Sequence, residues 1–154
     1  VSGTYSTAFG IDNVVSGGNS LAFGHLNTAS AGGSTVFGHL SVASGLSSTA
    51  FGDSVTASGT YSTAFGTNTV ASGEYATAFG NSTTASGRGS TAFGRFNTAP
   101  SAYETVIGMF ATSYTPASTT LYDASDRLLQ LEEMADDVLM MDETELVLKD
   151  IKVL

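Results

Sequence analysis

The sequence predicts an all-β fold, a flattened parallel β-solenoid of eight 14-residue coils over residues 1–112, with a short C-terminal cap or neck over 113–154. Three observations predict it. A glycine recurs every fourteen residues without insertion or deletion, at Gly10, Gly24, Gly38, Gly52, Gly66, Gly80, Gly94 and Gly108. The residue before each is Phe9, Phe23, Phe37, Phe51, Phe65, Phe79, Phe93 and finally Ile107. Small residues mark two further columns, Ala43, Ala57, Ala71, Ala85 in one and Ala50, Ala64, Ala78, Ala92 in the other. One short unit cannot bury its own apolar face, so an array this regular is a supersecondary unit stacked on copies of itself.

Counting columns from Val1, the unit reads A-S-G-x-x-S-T-A-F-G-x-x-x-T and divides into two half-units of seven residues. Each half holds a segment able to be a strand, then Gly and polar turn residues, with Gly expected to supply the positive φ of a tight corner. A helix is excluded by the glycine content, by a period other than 3.6, and by Ser and Thr competing for backbone hydrogen bonds. Disorder is the competing expectation for Gly/Ser/Thr-rich sequence. The unbroken phenylalanine column argues against it, because coils about 4.8 Å apart turn it into an apolar ladder roughly 30 Å long. A linker has no reason to keep such register.

Within a strand, Ala64 and Phe65 face opposite sides of the sheet. Both faces at this point are therefore expected to be buried, one by Phe and one by Ala. A thin coil has only one inside, so the second buried face implies a partner, most simply identical chains around an axis. Which of the two is the coil interior stays open.

Charge is unevenly placed. Of the net −9, the repeats carry four acids against two arginines, and residues 113–154 carry ten acids against three bases. A chain this acidic lacks the electrostatic footprint of a nucleic-acid binder. With no Cys there are neither disulfides nor thiolate metal sites. Neither a signal-peptide pattern nor an apolar run long enough to span a bilayer is read in these residues. Val1 already stands at the first column of a repeat, which suggests a piece of something longer.

The corner at column 11 offers the one metal-ligating pattern. His25, His39 and Asp53 occupy it on consecutive coils, their backbones about 4.8 Å apart. Two neutral imidazoles and a carboxylate are divalent-metal ligands, so these three are the candidate metal residues. The alternative is a solvated corner where polar residues stack. Other same-column neighbours are Glu74 with Arg88, Tyr61 with Tyr75, Leu26 with Leu40, and Phe96 with Phe110. The apolar pairs are expected to be buried between chains or, where solvent-facing, to bind. No Ser/His/Asp arrangement stands out from the repeats, and no phosphate-binding loop or nonapeptide calcium repeat matches. Asp53 and Glu74 lie in different columns, so no carboxylate pair for glycan cleavage is expected. Neither catalysis nor a cofactor is implied.

The segment Asn19-Ser20-Leu21-Ala22-Phe23-Gly24 resembles the N-S-V-A-I-G signature of YadA-like head repeats in trimeric autotransporter adhesins, repeats also met in phage tail fibres. The A-x-G and S-x-A-[hydrophobic]-G spacing extends the resemblance over residues 1–112, with Phe where the family usually has Ile or Leu. The resemblance implies a left-handed β-roll, a homotrimer, and an extracellular, non-enzymatic adhesive head. Such a head sits on a bacterial surface or a virion fibre and attaches to host matrix protein or surface glycan. The ligand-binding residues are not identified. A structural spacer or filament subunit without its own ligand is the alternative function. An ice-binding surface needs two flat Thr columns; column 7 is interrupted by Leu21, and column 5 offers Tyr, Asn, Gly and Ser instead.

In the tail, Asp126-Arg127-Leu128-Leu129 and Leu146-Val147-Leu148-Lys149-Asp150 resemble segments that follow such heads, without the usual glycines. Glu145 to Leu154 alternates and favours strands. Ala124 to Met141 competes as a helix, with Leu131, Met134, Val138 and Met141 spaced as a coiled-coil seam.

Overall fold

The computed structural model describes residues 1–111. The readings of the tail as strands, coiled coil, cap or neck lie outside the described residues. Two strands per fourteen residues alternate along the chain. The long ones are β1 (Thr7–Ile11), β3 (Leu21–His25), β5 (Thr35–His39), β7 (Thr49–Asp53), β9 (Thr63–Thr67), β11 (Thr77–Asn81), β13 (Thr91–Arg95) and β15 (Thr105–Met109). The short ones are β2 (Val14–Val15), β4 (Thr28–Ala29), β6 (Val42–Ala43), β8 (Thr56–Ala57), β10 (Val70–Ala71), β12 (Thr84–Ala85) and β14 (Thr98–Ala99). Among the described residues there is no helix.

Long strands form one parallel sheet in chain order and short strands form a second. Each residue pairs with its equivalent on the next coil, Phe65 with Phe79 and Gly66 with Gly80. The chain is thus an all-β parallel solenoid in which the sequence period and the structural period are the same.

The interior is made of small side chains. Ala22, Ala50, Ala64, Ala78 and Ala92 on the long strands and Ala29, Ala43, Ala57, Ala71, Ala85 and Ala99 on the short ones are fully buried. Columns 6 and 13 complete it with Ser34, Ser48, Ser62, Ser90, Asn27, Val55, Thr69, Thr83 and Asn97. Asn27 satisfies itself inside: its Nδ2 donates to the carbonyls of Phe23 (2.9 Å) and Gly38 (2.7 Å), while its Oδ1 accepts from the Ser41 amide (3.0 Å). Asn97 repeats the pattern with Phe93, Gly108 and Ala111. A buried polar group is tolerated when paired in this way.

One point left open by the sequence is decided, and one expectation changes. Within one chain the phenylalanine face is not buried: the alanine face is the interior and the rings lie on the outside of the long-strand sheet. The reason is volume, since a thin coil closed on alanine has no room for a second column of rings. The corners also differ. Positive φ occurs not only at the column 10 glycines but also at columns 5 and 12, seven residues apart, where most residues are not glycine. Tyr5, Asn19, Ser47, Tyr61, Tyr75 and Tyr103 in one, and all eight residues from Asp12 to Phe110 in the other, have φ between 51° and 59°. From the second coil on, each such corner is tied to the coil before it, as by Tyr61 N to Leu46 O (2.8 Å) and Leu26 N to Ile11 O (3.0 Å).

Glycine serves closeness as well as positive φ. A Cβ on Gly66 would run into the carbonyl oxygen of Gly80, and one on Gly59 into that of Gly73. Column 10 combines this with positive φ; column 3 needs the close approach alone.

Candidate functional site

In the long strands, alternation sends columns 7, 9 and 11 outward, so Thr, Phe and a variable residue share one flat face. Phe51, Phe65, Phe79 and Phe93 stack with centroids 4.7, 4.8 and 4.9 Å apart and planes within 7° of parallel. Phe23 and Phe37 stack similarly at 5.1 Å, while the Phe9–Phe23 and Phe37–Phe51 steps are tilted by 32°. Ring-on-ring contact shelters the faces of the rings but leaves their edges to solvent, so Phe65 and Phe79 remain 38% and 39% exposed. The predicted ladder therefore forms, as a continuous apolar stripe on the surface. Contiguous apolar surface of this kind marks an interaction site on a soluble protein.

Beside it runs the column 11 ladder. The rings of His25 and His39 stack, centroids 5.3 Å apart and 19° from parallel. His39 Nδ1 lies 3.0 Å from Asp53 Oδ2, and Ser54 Oγ donates to Asp53 Oδ1 at 2.8 Å. The hydrogen bond from His39, then that from Ser54, hold the Asp53 carboxyl below its ordinary value, helped by the charge of His39. The three candidate metal residues are thus consecutive rungs, but Asp53 is turned to His39. Among the described residues no group of three or more His, Asp or Glu is gathered to hold a metal ion. Ser54 escaped sequence reasoning, although its place next to Asp53 at the corner was the available signal.

The remaining ladders fall where their columns put them. Phe96 and Phe110 stack at 5.0 Å on the column 12 corner, with the Arg95 guanidinium 4.8 Å from the Phe96 ring centroid. That cation–π contact also escaped the sequence reading, though adjacent columns 11 and 12 carry both partners. Leu26 and Leu40 are exposed on the same corner. On the opposite corner Tyr61 and Tyr75 stack at 5.3 Å, and Arg88 Nε lies 3.3 Å from Glu74 Oε2 without a well-aligned hydrogen bond. Both partners of that ion pair are well solvated, so it adds roughly 0 to 1 kcal/mol at most. The geometry offers faces and ladders, each made by one column repeating.

The family model described as the YadA head domain repeat matches the chain over residues 2–27, 29–54, 57–83, 71–97 and 85–102. No curated protein matches it. The matched segments cover most of the solenoid and share its period.

Proposed function

Because the chain belongs to the YadA head-repeat family, we propose that it is the adhesive head of a surface fibre, a homotrimer whose chains meet through the phenylalanine face. The exposed, in-register ladder from Phe9 to Phe93 carries this proposal. A stripe of rings is costly to leave in water, and fully burying one Phe is worth about 1.5–3 kcal/mol. A closed cyclic assembly buries the stripe of every chain against equivalent surface. The head works without catalysis, outside the cell or on a virion fibre. Its outer corners meet a host extracellular-matrix protein or a surface glycan, and many weak contacts add up through three chains and repeated coils.

Light scattering on the purified chain, paired with binding to an array of glycans and matrix proteins, tests this. A trimer that binds an array member supports it in full. A stable folded monomer rejects the assembly. A trimer that binds nothing, in fibres whose repeats continue across chain boundaries, would favour the spacer or filament role instead.

A further inference from the structure

The assembly proposed above draws on the phenylalanine rings and not on the column 11 ladder beside them, whose hydrogen bonding gives it a fixed orientation. A carboxylate only accepts, so the contact between His39 Nδ1 and Asp53 Oδ2 places the proton on Nδ1. In the neutral ring Nε2 then carries the free lone pair. Asp53 is itself held by the Ser54 hydroxyl, which leaves Ser54, Asp53 and His39 as a chain of fixed orientation. A carboxylate on one nitrogen of a histidine whose other nitrogen binds metal is a recurring arrangement, because it fixes the tautomer and raises ligand basicity. On the adjacent rung, His25 stacks 5.3 Å away and presents a second imidazole in parallel.

We propose that His25 and His39 together chelate one divalent transition-metal ion of the zinc, nickel or copper class, with Asp53 orienting His39 and water completing the coordination. Imidazole suits these ions better than it suits magnesium or calcium. Metal–nitrogen bonds of about 2.0–2.1 Å limit two ligand nitrogens on one ion to about 4.2 Å apart. His25 is exposed and the His39 side chain is 43% exposed, and imidazole lone pairs lie in the ring plane, so chelation replaces the stack with two rings turned edge-on to one ion. The rungs flanking the set are Ile11 and Thr67, and no cationic side chain stands in this column until Arg95. All the groups come from one chain, on the same outward face of the long strands as the phenylalanine stripe, at its column 11 edge.

Zinc titration of the whole chain by calorimetry, with copper(II) electron paramagnetic resonance as a second readout, tests the site. The expected result is one tight ion per chain and a copper spectrum coupled to imidazole nitrogen. His25→Gln and His39→Gln should each weaken binding at least tenfold, and Asp53→Asn by about 10–100-fold, the usual effect of losing a carboxylate behind a metal-bound histidine. Glu74→Gln, in another column, should change nothing. Circular dichroism of the metal-free variants verifies folding, and His25→Gln alone decides the matter if His39→Gln unfolds. The proposal is overturned if zinc does not bind, or if binding survives intact in the His25→Gln/His39→Gln double variant. A copper spectrum showing only oxygen ligands, as the acidic tail would give, overturns it too.

Discussion

Phe65 and Phe79 stack with centroids 4.8 Å apart and planes within 4° of parallel, yet more than a third of each stays exposed. Stacking along the solenoid and burial across it are therefore separate contributions, supplied by different neighbours. The first comes from the coils above and below. The second is absent in one chain and could come only from another molecule.

This separation predicts two costs for Phe65→Ala. In the isolated chain the loss is modest, on the order of 1 kcal/mol, because the ring is only partly sheltered and no closed cavity is left behind. In the proposed trimer it approaches the 3–5 kcal/mol of a core Phe→Ala change for each chain. Denaturation at several protein concentrations resolves the two, since folding and association are linked. A concentration-independent loss would mean that the ring meets no partner chain.

Thr69 and Thr83 give a prediction of opposite sign. Both are fully buried in column 13, and neither hydroxyl has a hydrogen-bond partner. Val55 occupies the same column one coil earlier, equally buried, so the interior accepts that shape. Thr69→Val should raise stability by about 1 kcal/mol, the cost of a buried hydroxyl left unpaired. Thermal unfolding measures it, and a lowered midpoint would show that the hydroxyl is paired, for instance to a buried water.

Much of this was legible in the sequence because in a solenoid period and register are one quantity. The fourteen-residue spacing of Gly66 and Gly80 sets their pairing, and the adjacency of Ala64 and Phe65 sets their opposite faces. Which face lies inside was not legible, since both are apolar and alternation is symmetric. Side-chain volume breaks that symmetry in favour of alanine. The corners were misread for a different reason. Left-handed backbone is marked by residues such as Asn19, Asp12 and Asn68, but Leu40, Tyr75 and Phe96 adopt it too. These large residues are held there by bonds to the preceding coil, such as Leu40 N to His25 O and Tyr75 N to Thr60 O. Of the candidate site, the rungs were legible and the turning of Asp53 toward His39 was not, because columns do not specify rotamers.

Asp53 predicts a pH effect. Its carboxyl lies below the ordinary value because His39 and Ser54 hydrogen-bond its charged form. A carboxyl depressed in the folded state contributes stability above its unfolded pKa, near 3.9, and loses it as pH falls through the lower folded value. With metal chelated away, the carboxyl carbon followed by NMR should titrate below a free aspartate. Ser54→Ala should move it upward, and His39→Gln further. An Asp53 indifferent to both changes would contradict the hydrogen-bonded ladder.

Gly66 and Gly108 share a column and a backbone conformation, with φ of 126° and 128°, but not a neighbourhood. A methyl group on Gly66 would meet the carbonyl oxygen, carbonyl carbon and amide nitrogen of Gly80, whereas nothing described lies within 4 Å of one on Gly108. Gly108→Ala therefore carries only the conformational penalty of an L-residue in an essentially glycine-only region of positive φ, about 1–3 kcal/mol. Gly66→Ala adds a backbone collision that can be relieved only by prying two coils apart, which breaks the register of β9 and β11 along with the Phe65–Phe79 stack. Nearest-neighbour stacking dominates the stability of repeat proteins, so the damage at mid-ladder should far exceed that at Gly108. Urea unfolding of the two variants at equal chain concentration makes the comparison. Equal losses would mean that column 10 keeps glycine for its φ alone, and that the coils are not packed as closely as their carbonyls indicate.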